Sequence, residues 1–118
     1  MSQNVEAIVI SWLTELVGDE WPVSGDKPDN EDQFILVDRT GGPRESMVID
    51  RAEILIEVYH KTSRVEASDL ANEIADNIPS LLEEESITRA SVNSVVNLDD
   101  VLAQYHRYQI YVDVSNRR

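Results

Sequence analysis

Near the N-terminus, Val5, Ile8, Val9, Trp12, Leu13 and Leu16 recur at the i, i+3, i+4 spacing that lines one helical face, with Gly18 as a C-terminal stop, so residues 4–17 predict a helix. The periodicity vanishes from Gly18 to Asp32, where two prolines, two glycines, one lysine and six acids (Asp19, Glu20, Asp26, Asp29, Glu31 and Asp32) leave residues 18–33 as an acidic loop. Trp21, just before Pro22, reads as an aromatic packed back onto the helix end, with sugar stacking or peptide binding as the alternative. Phe34 to Arg39 is a short apolar run closed by Thr40, Gly41, Gly42 and Pro43, which predicts a strand entering a turn. Ala52 to His60 alternates, with Ile54, Ile56 and Val58 on one face and Glu53, Glu57 and Tyr59 on the other, interrupted only by Leu55.

Ser63 with Glu66 three residues on makes a capping box, and Ala67, Leu70, Ala71, Ile74, Ala75 and Ile78 follow as a helical stripe. The expected helix covers residues 63–82, ended or kinked by Pro79. Along 87–97, Ala90, Val92 and Val96 alternate with Arg89, Ser91 and Asn93. Farther on, Tyr108, Ile110, Val112 and Val114 alternate with Arg107, Gln109 and Asp113, so residues 87–115 predict an antiparallel hairpin. The order α-β-β-α-β-β, with residues 34–60 as strand-loop-strand, specifies an α+β fold. Its mainly antiparallel four-stranded sheet carries two helices packed on one face, in a single domain spanning 1–118.

Composition narrows the function. The chain has 118 residues, 42% of them apolar, with 10 Lys and Arg against 23 Asp and Glu for a net charge of −13. A chain of this size buries about two-thirds of its unfolded surface, enough for a core without staples. There is no cysteine, which excludes disulfides, thiolate nucleophiles and cysteine zinc sites. No apolar stretch exceeds four residues, against roughly 18 for a membrane span, and no basic leader precedes Lys27, so the expectation is a soluble protein with no membrane partner and no export signal. So acidic a chain repels phosphate backbones at long range, which disfavours sequence-specific nucleic-acid binding and leaves basic partners or self-assembly open.

Candidate chemistry is thin. Asp50, Glu57 and Lys61 are the nearest approach to a metal-dependent nuclease set, but Glu57 and Lys61, four apart on a strand, stand about 13 Å from one another. His60 and His106 share the inward parity of their strands, so both could sit at the sheet's rim, where a pair could in principle hold a metal or a carboxylate. No clustered carboxylate completes a shell. Glu83, Glu84 and Glu85 read as a solvated helix end. There is no G-x-S-x-G elbow, and Gly41-Gly42 is too short for a P-loop. The reading is a non-enzyme with no catalytic residue, no cofactor, no metal and no small-molecule ligand.

The segment Thr40 to Arg51 is more informative. It is long for a hairpin connection, carries the apolar triplet Met47, Val48 and Ile49, and is flanked by Arg39, Arg44 and Arg51. It is either an arm that orders against another subunit, or a loose loop or extension of both strands into a longer hairpin. The run Phe34-Ile-Leu-Val-Asp-Arg-Thr-Gly-Gly-Pro-Arg, then Asp50-Arg51-Ala52, the helix with Ala67, Leu70 and Ala71, and the closing Tyr105-His-Arg-Tyr-Gln-Ile-Tyr-Val-Asp-Val strand together resemble the tail terminator (tail completion, head-tail joining) proteins of long-tailed bacteriophages over roughly residues 4–115.

That resemblance implies a non-enzymatic virion-assembly protein forming a ring, commonly a hexamer, on the head-proximal end of the tail tube. There it ends tube polymerisation and presents a docking surface to the head connector. Its partners would be itself, the tail tube protein and the head connector protein, with DNA passing through the lumen without specific binding. Its location would be the virion, and the host cytoplasm during assembly. Arg39, Thr40, Gly41, Gly42, Pro43, Arg44, Met47, Val48, Ile49, Asp50 and Arg51 would be subunit or tail-tube contacts. An acidic lumen would repel phosphates within a Debye length of about 8 Å. The alternatives are another head-tail connector or neck ring protein and, in a different class, an acidic DNA-mimic inhibitor of a basic nucleic-acid-binding protein.

Overall fold

In the computed structural model, which describes residues 4–41, 49–102 and 104–117, helix α1 (Val5–Val17) starts at Asn4. The Asn4 Oδ1 accepts the Glu6 backbone N–H at 2.8 Å, satisfying a donor that has no partner inside the helix. It stops at Gly18, whose N–H makes the last bond to the Thr14 carbonyl and whose φ of 75° turns the chain off the helix, a conformation that costs glycine little. Strands β1 (Val23–Ser24), β2 (Gln33–Gly41), β3 (Ile49–His60), β4 (Ile87–Asn97) and β5 (His106–Arg117) form one sheet in the order β1-β2-β3-β5-β4. Helix α2 (Arg64–Asn77) sits between β3 and β4 in the chain.

The α+β architecture matches the pattern reading, but the expected four-stranded antiparallel sheet has a fifth strand. β1 lies inside the acidic segment and pairs parallel to β2, with the Ile35 N–H donating to the Pro22 carbonyl at 2.8 Å. Two residues cannot display a period-2 alternation, so tertiary pairing alone makes this strand. The expected helix over 63–82 is also divided. α2 ends at Asn77, and Ile78–Glu83 continues as a 3-10 helix with Pro79 in its first turn, because proline lacks the N–H that would bond Ala75 and its ring crowds that carbonyl.

β3 and β5 pair in unbroken antiparallel register from Ile49↔Arg117 to His60↔His106. Even-numbered residues of this pair therefore share one face. Ala52, Ile54, Ile56, Val58, Ile110, Val112 and Val114 are buried there with Ile35 and Val37 of β2, in one cluster with Val9 and Leu13 of α1 and Ala71 and Ile74 of α2. Both helices thus cover the same face. The Trp12 indole N–H donates to Ser80 Oγ at 2.9 Å, and that hydroxyl donates to the Asn77 carbonyl, tying α1 to the turn after α2.

Two face assignments need correction. Tyr59, expected on a solvated face, is only 4% exposed. It stacks on Phe34 at 4.6 Å between ring centroids, and Tyr105 meets both rings edge-on, so the opposite face of the sheet has its own aromatic cluster at this end. The acidic segment closes over it: Lys27 lies above the Tyr105 ring and the Tyr105 hydroxyl donates to the Glu31 carbonyl at 2.7 Å. On β4, Ala90 and Val92 face the helices as expected, opposite Val114 and Val112. A register shift between Val92 and Ser94 then puts Val95 opposite Ile110, and Val96 opposite Gln109 on the other face. One extra residue reverses every later side chain.

Truncating Ile56, fully buried at the centre of the sheet, to alanine is expected to lower unfolding free energy by about 2–5 kcal/mol. Val96→Ala, on the exposed side of β4, is expected to change it by less than about 0.5 kcal/mol. Urea denaturation midpoints of the two variants measure the contrast.

Candidate functional site

The turn expected to contact other subunits grows out of an extended hairpin. β2 runs on to Gly41 and β3 already starts at Ile49, so of the readings for Thr40 to Arg51 the longer hairpin describes its two flanks. Arg39 braces the root: its Nη2 donates to the Arg51 carbonyl at 3.0 Å and its Nε to the Gly41 carbonyl at 3.4 Å. Thr40 Oγ1 donates to Glu53 Oε1 at 2.7 Å. A register shift between Arg39 and Gly41 bends β2 here, as bulges do at sheet ends. Ile49 and Asp50 continue β3 opposite Arg117 and Asn116. Gly42, Pro43, Arg44, Met47 and Val48 lie outside the described residues.

Beside this root is a cleft of about 520 Å³ on the sheet face away from the helices, where Gly41 and Arg51 meet Glu53, Arg89, Ser91, Asp113 and Ser115. Glu53 and Asp113 are directly opposite across β3 and β5, which brings like charges to roughly 5 Å between Cβ atoms. One step along, Arg51 and Arg89 flank Ser115 from the two neighbouring strands. The result is an interleaved patch of two carboxylates and two guanidinium groups, suited to a protein surface of mixed charge. Sequence reading found Arg51 and Gly41 but missed the others. Alternation already put Arg89, Ser91 and Asp113 on the polar side of their strands, whereas their convergence depends on pairing register.

The opposite end of the sheet is apolar at its tip. β5 starts beside the end of β3, so the β4–β5 connection lies at the far end from the β2–β3 turn. In that connection Leu98, Val101 and Leu102 are exposed, Leu102 at 99%. Polar bonds hold its base. Asp99 Oδ2 accepts from Arg64 Nη2 at 2.8 Å, while Oδ1 accepts from Asn97 Nδ2 at 2.9 Å and from the Arg107 N–H at 3.3 Å. Burial disfavours the charged carboxylate, but these donors outweigh it and bring its pKa down to about 2. Arg107 extends the network: Nε donates to the Leu98 carbonyl at 2.8 Å, and its guanidinium lies 3.6 Å from Glu57. Burial pushes the neighbouring Tyr59 hydroxyl up despite its bond from Arg107.

The two histidines do meet at the rim, directly opposite one another. His60 is engaged in holding α2. Its Nδ1 accepts the backbone N–H groups of Thr62 (3.2 Å) and Ser63 (2.9 Å), so its proton is on Nε2, which faces Glu66 at 2.6 Å. The predicted capping box is therefore half formed: Ser63 Oγ accepts the Glu66 N–H, while His60 takes both the Ser63 N–H and the Glu66 carboxylate. Trp21 packs beside the His60 ring, 5.7 Å between centroids, and against the core cluster. His106 Nδ1 lies 3.6 Å from Asp99, beyond hydrogen-bond reach. Glu57 is bonded to Gln109 at 3.0 Å and Lys61 falls past the end of β3. Among the described residues no three of His, Cys, Asp or Glu are grouped to hold a metal ion, and no helix is long and apolar enough to cross a membrane.

His60→Ala is expected to destabilise the fold by about 1–3 kcal/mol, through the amide groups it leaves unpaired at the start of α2, read as a drop in thermal midpoint. Asp99 titrates below its unfolded value of about 3.9. Its stabilisation is therefore fully present above that value and is lost as pH falls toward about 2. With the Arg64 side chain of the pair 57% exposed, solvent screening holds the effect to the order of 1 kcal/mol. Asp99→Asn is expected to flatten this part of the acid-unfolding profile, measured by urea midpoints between pH 2 and 6. No family model matches the chain, and no curated protein matches its sequence.

Proposed function

We propose that the chain is a structural subunit of phage virion assembly, a tail terminator that forms a ring, as a hexamer, on the head-proximal end of the tail tube. It acts by shape: it ends tube polymerisation and offers the head connector a docking surface. The observation that carries this reading is the pair of unlike surfaces at opposite ends of one sheet, the mixed-charge cleft at the β2–β3 root and the apolar β4–β5 connection. A ring needs heterologous contacts between two different patches, and the ring closes when the rotation between copies is an integer fraction of a turn. Exposed apolar side chains in a chain that is 28% charged mark a protein contact. The resemblance of the Arg39-Thr-Gly-Gly-Pro-Arg turn to phage terminators supplies the biological setting, and the charge of −13 suits a lumen that lets DNA pass without gripping it.

Light scattering after size exclusion tests this across a concentration series. The expected result is a species near six times the 13.4 kDa subunit, about 80 kDa, either alone or on added tail tubes. A chain that stays monomeric in both settings and binds a basic nucleic-acid-binding protein in a salt-sensitive manner would instead favour the acidic DNA-mimic reading.

A further inference from the structure

β4 is an edge strand. Its inner side pairs with β5 along Ile87–Asn97, and among the described residues Ser91–Asn97 make no other backbone hydrogen bond. Edge strands of this length are normally guarded by lysine, proline or a covering element. The 3-10 helix after α2 reaches the beginning of β4, where the Ile87 N–H bonds the Glu84 carbonyl. The second half carries no lysine or proline, and among the described residues its one guard is the bulge at Asn93. It carries Ser94, Val95, Val96 and Asn97, all exposed, with Val95 and Val96 on opposite faces of the sheet.

Charge identifies what fits there. Between Ser86 and Leu98 the only charged residue is Arg89, so this segment has a net charge of +1 in a chain of −13. Two copies at −13 each repel overall, and β4 is a stretch along which they can meet at little electrostatic cost. The strand is also compatible with itself, since small polar and β-branched residues face one another in antiparallel pairing without like charges opposed. With a two-fold axis at Val95, the first half of β4 in one copy, which holds Arg89, runs toward the end of the strand in the second, which leads into Asp99 and Asp100. We propose that free subunits pair through the outer edge of β4, antiparallel around Val95, into a two-fold dimer whose sheet runs from one copy into the other. This contact is isologous, whereas ring contacts are heterologous, so it goes beyond the ring reading and stands without it.

The chain has no cysteine, which makes single-cysteine cross-linking clean. Val95→Cys and Val96→Cys are each oxidised in dilute protein, with Glu73→Cys, on the exposed side of α2, as control. Val95→Cys, opposed to its own copy at the axis, is expected to give a disulfide-linked dimer of about 27 kDa, twice the subunit mass, because directly opposed strand residues lie within disulfide reach, whereas Val96→Cys, opposed to Ser94, cross-links less. The control stays single. Val95→Lys, which sets two like charges opposite one another at the axis, is expected to raise the dimer dissociation constant about tenfold or more by sedimentation, with an unchanged circular dichroism spectrum. Equal cross-linking of β4 and control variants, or no cross-linking on β4, overturns the pairing. A ring of about 80 kDa that forms without β4 cross-links would sink this inference alone and leave the ring reading standing.

Discussion

The ladder between β3 and β5 is the constraint on which the rest of the structure depends. All twelve residues of β3 are paired without a shift, so every side chain of both strands has its face assigned by one register. A slip by one residue would send Ile54, Ile56, Val58, Ile110 and Val112 to the face away from the helices. Burial of these side chains, each worth about 1.5–3 kcal/mol, makes such a slip very costly. Irregularity is confined to the outer pairs: β2 shifts against β3 near Gly41, and β4 shifts against β5 twice. The centre stays regular while the edges bend.

That ladder also brings together two polar assemblies that no local sequence predicts. Its rim pair places His60 at the first turn of α2, where one imidazole ring accepts two backbone amides and meets a carboxylate. Asp99 and Arg107 couple the β4–β5 connection to α2 through Arg64 and to the sheet face through Glu57 and Tyr59. Both act where chain ends of secondary elements would otherwise leave donors unpaired. Their residues are histidine, aspartate and arginine, types that invite a catalytic reading. Here each has a bonding role in holding elements together.

The surface divides by chemistry along the same axis. At one end of the sheet, carboxylates and guanidinium groups alternate around a cleft; at the other, leucine and valine side chains meet solvent. The acidic segment is not a loose tail, for it seals the aromatic cluster of Phe34, Tyr59 and Tyr105 through Lys27 and the Glu31 carbonyl. The segment carries six of the chain's 23 acidic residues.

Much of this was legible in the order of residues. The amphipathic stripes of α1 and α2, the alternation of β3 and β5 and the break at Pro79 all follow from local periodicity and proline chemistry, which act over a few residues. Resemblance pointed to the β2–β3 turn; of its flanks, Gly41 and Arg51 line the cleft and Arg39 bonds the Arg51 carbonyl. Three things were decided only by tertiary structure. β1 exists because two residues found the edge of β2, the bulge at Asn93 turned Val96 to the other face, and Glu53, Arg89 and Asp113 met because three strands adopted one register. Periodicity records which side of an element is apolar. The partner across the sheet, the position of an inserted residue and the convergence of distant charges depend on pairing between segments far apart in the chain, and that pairing forms only when the whole core closes.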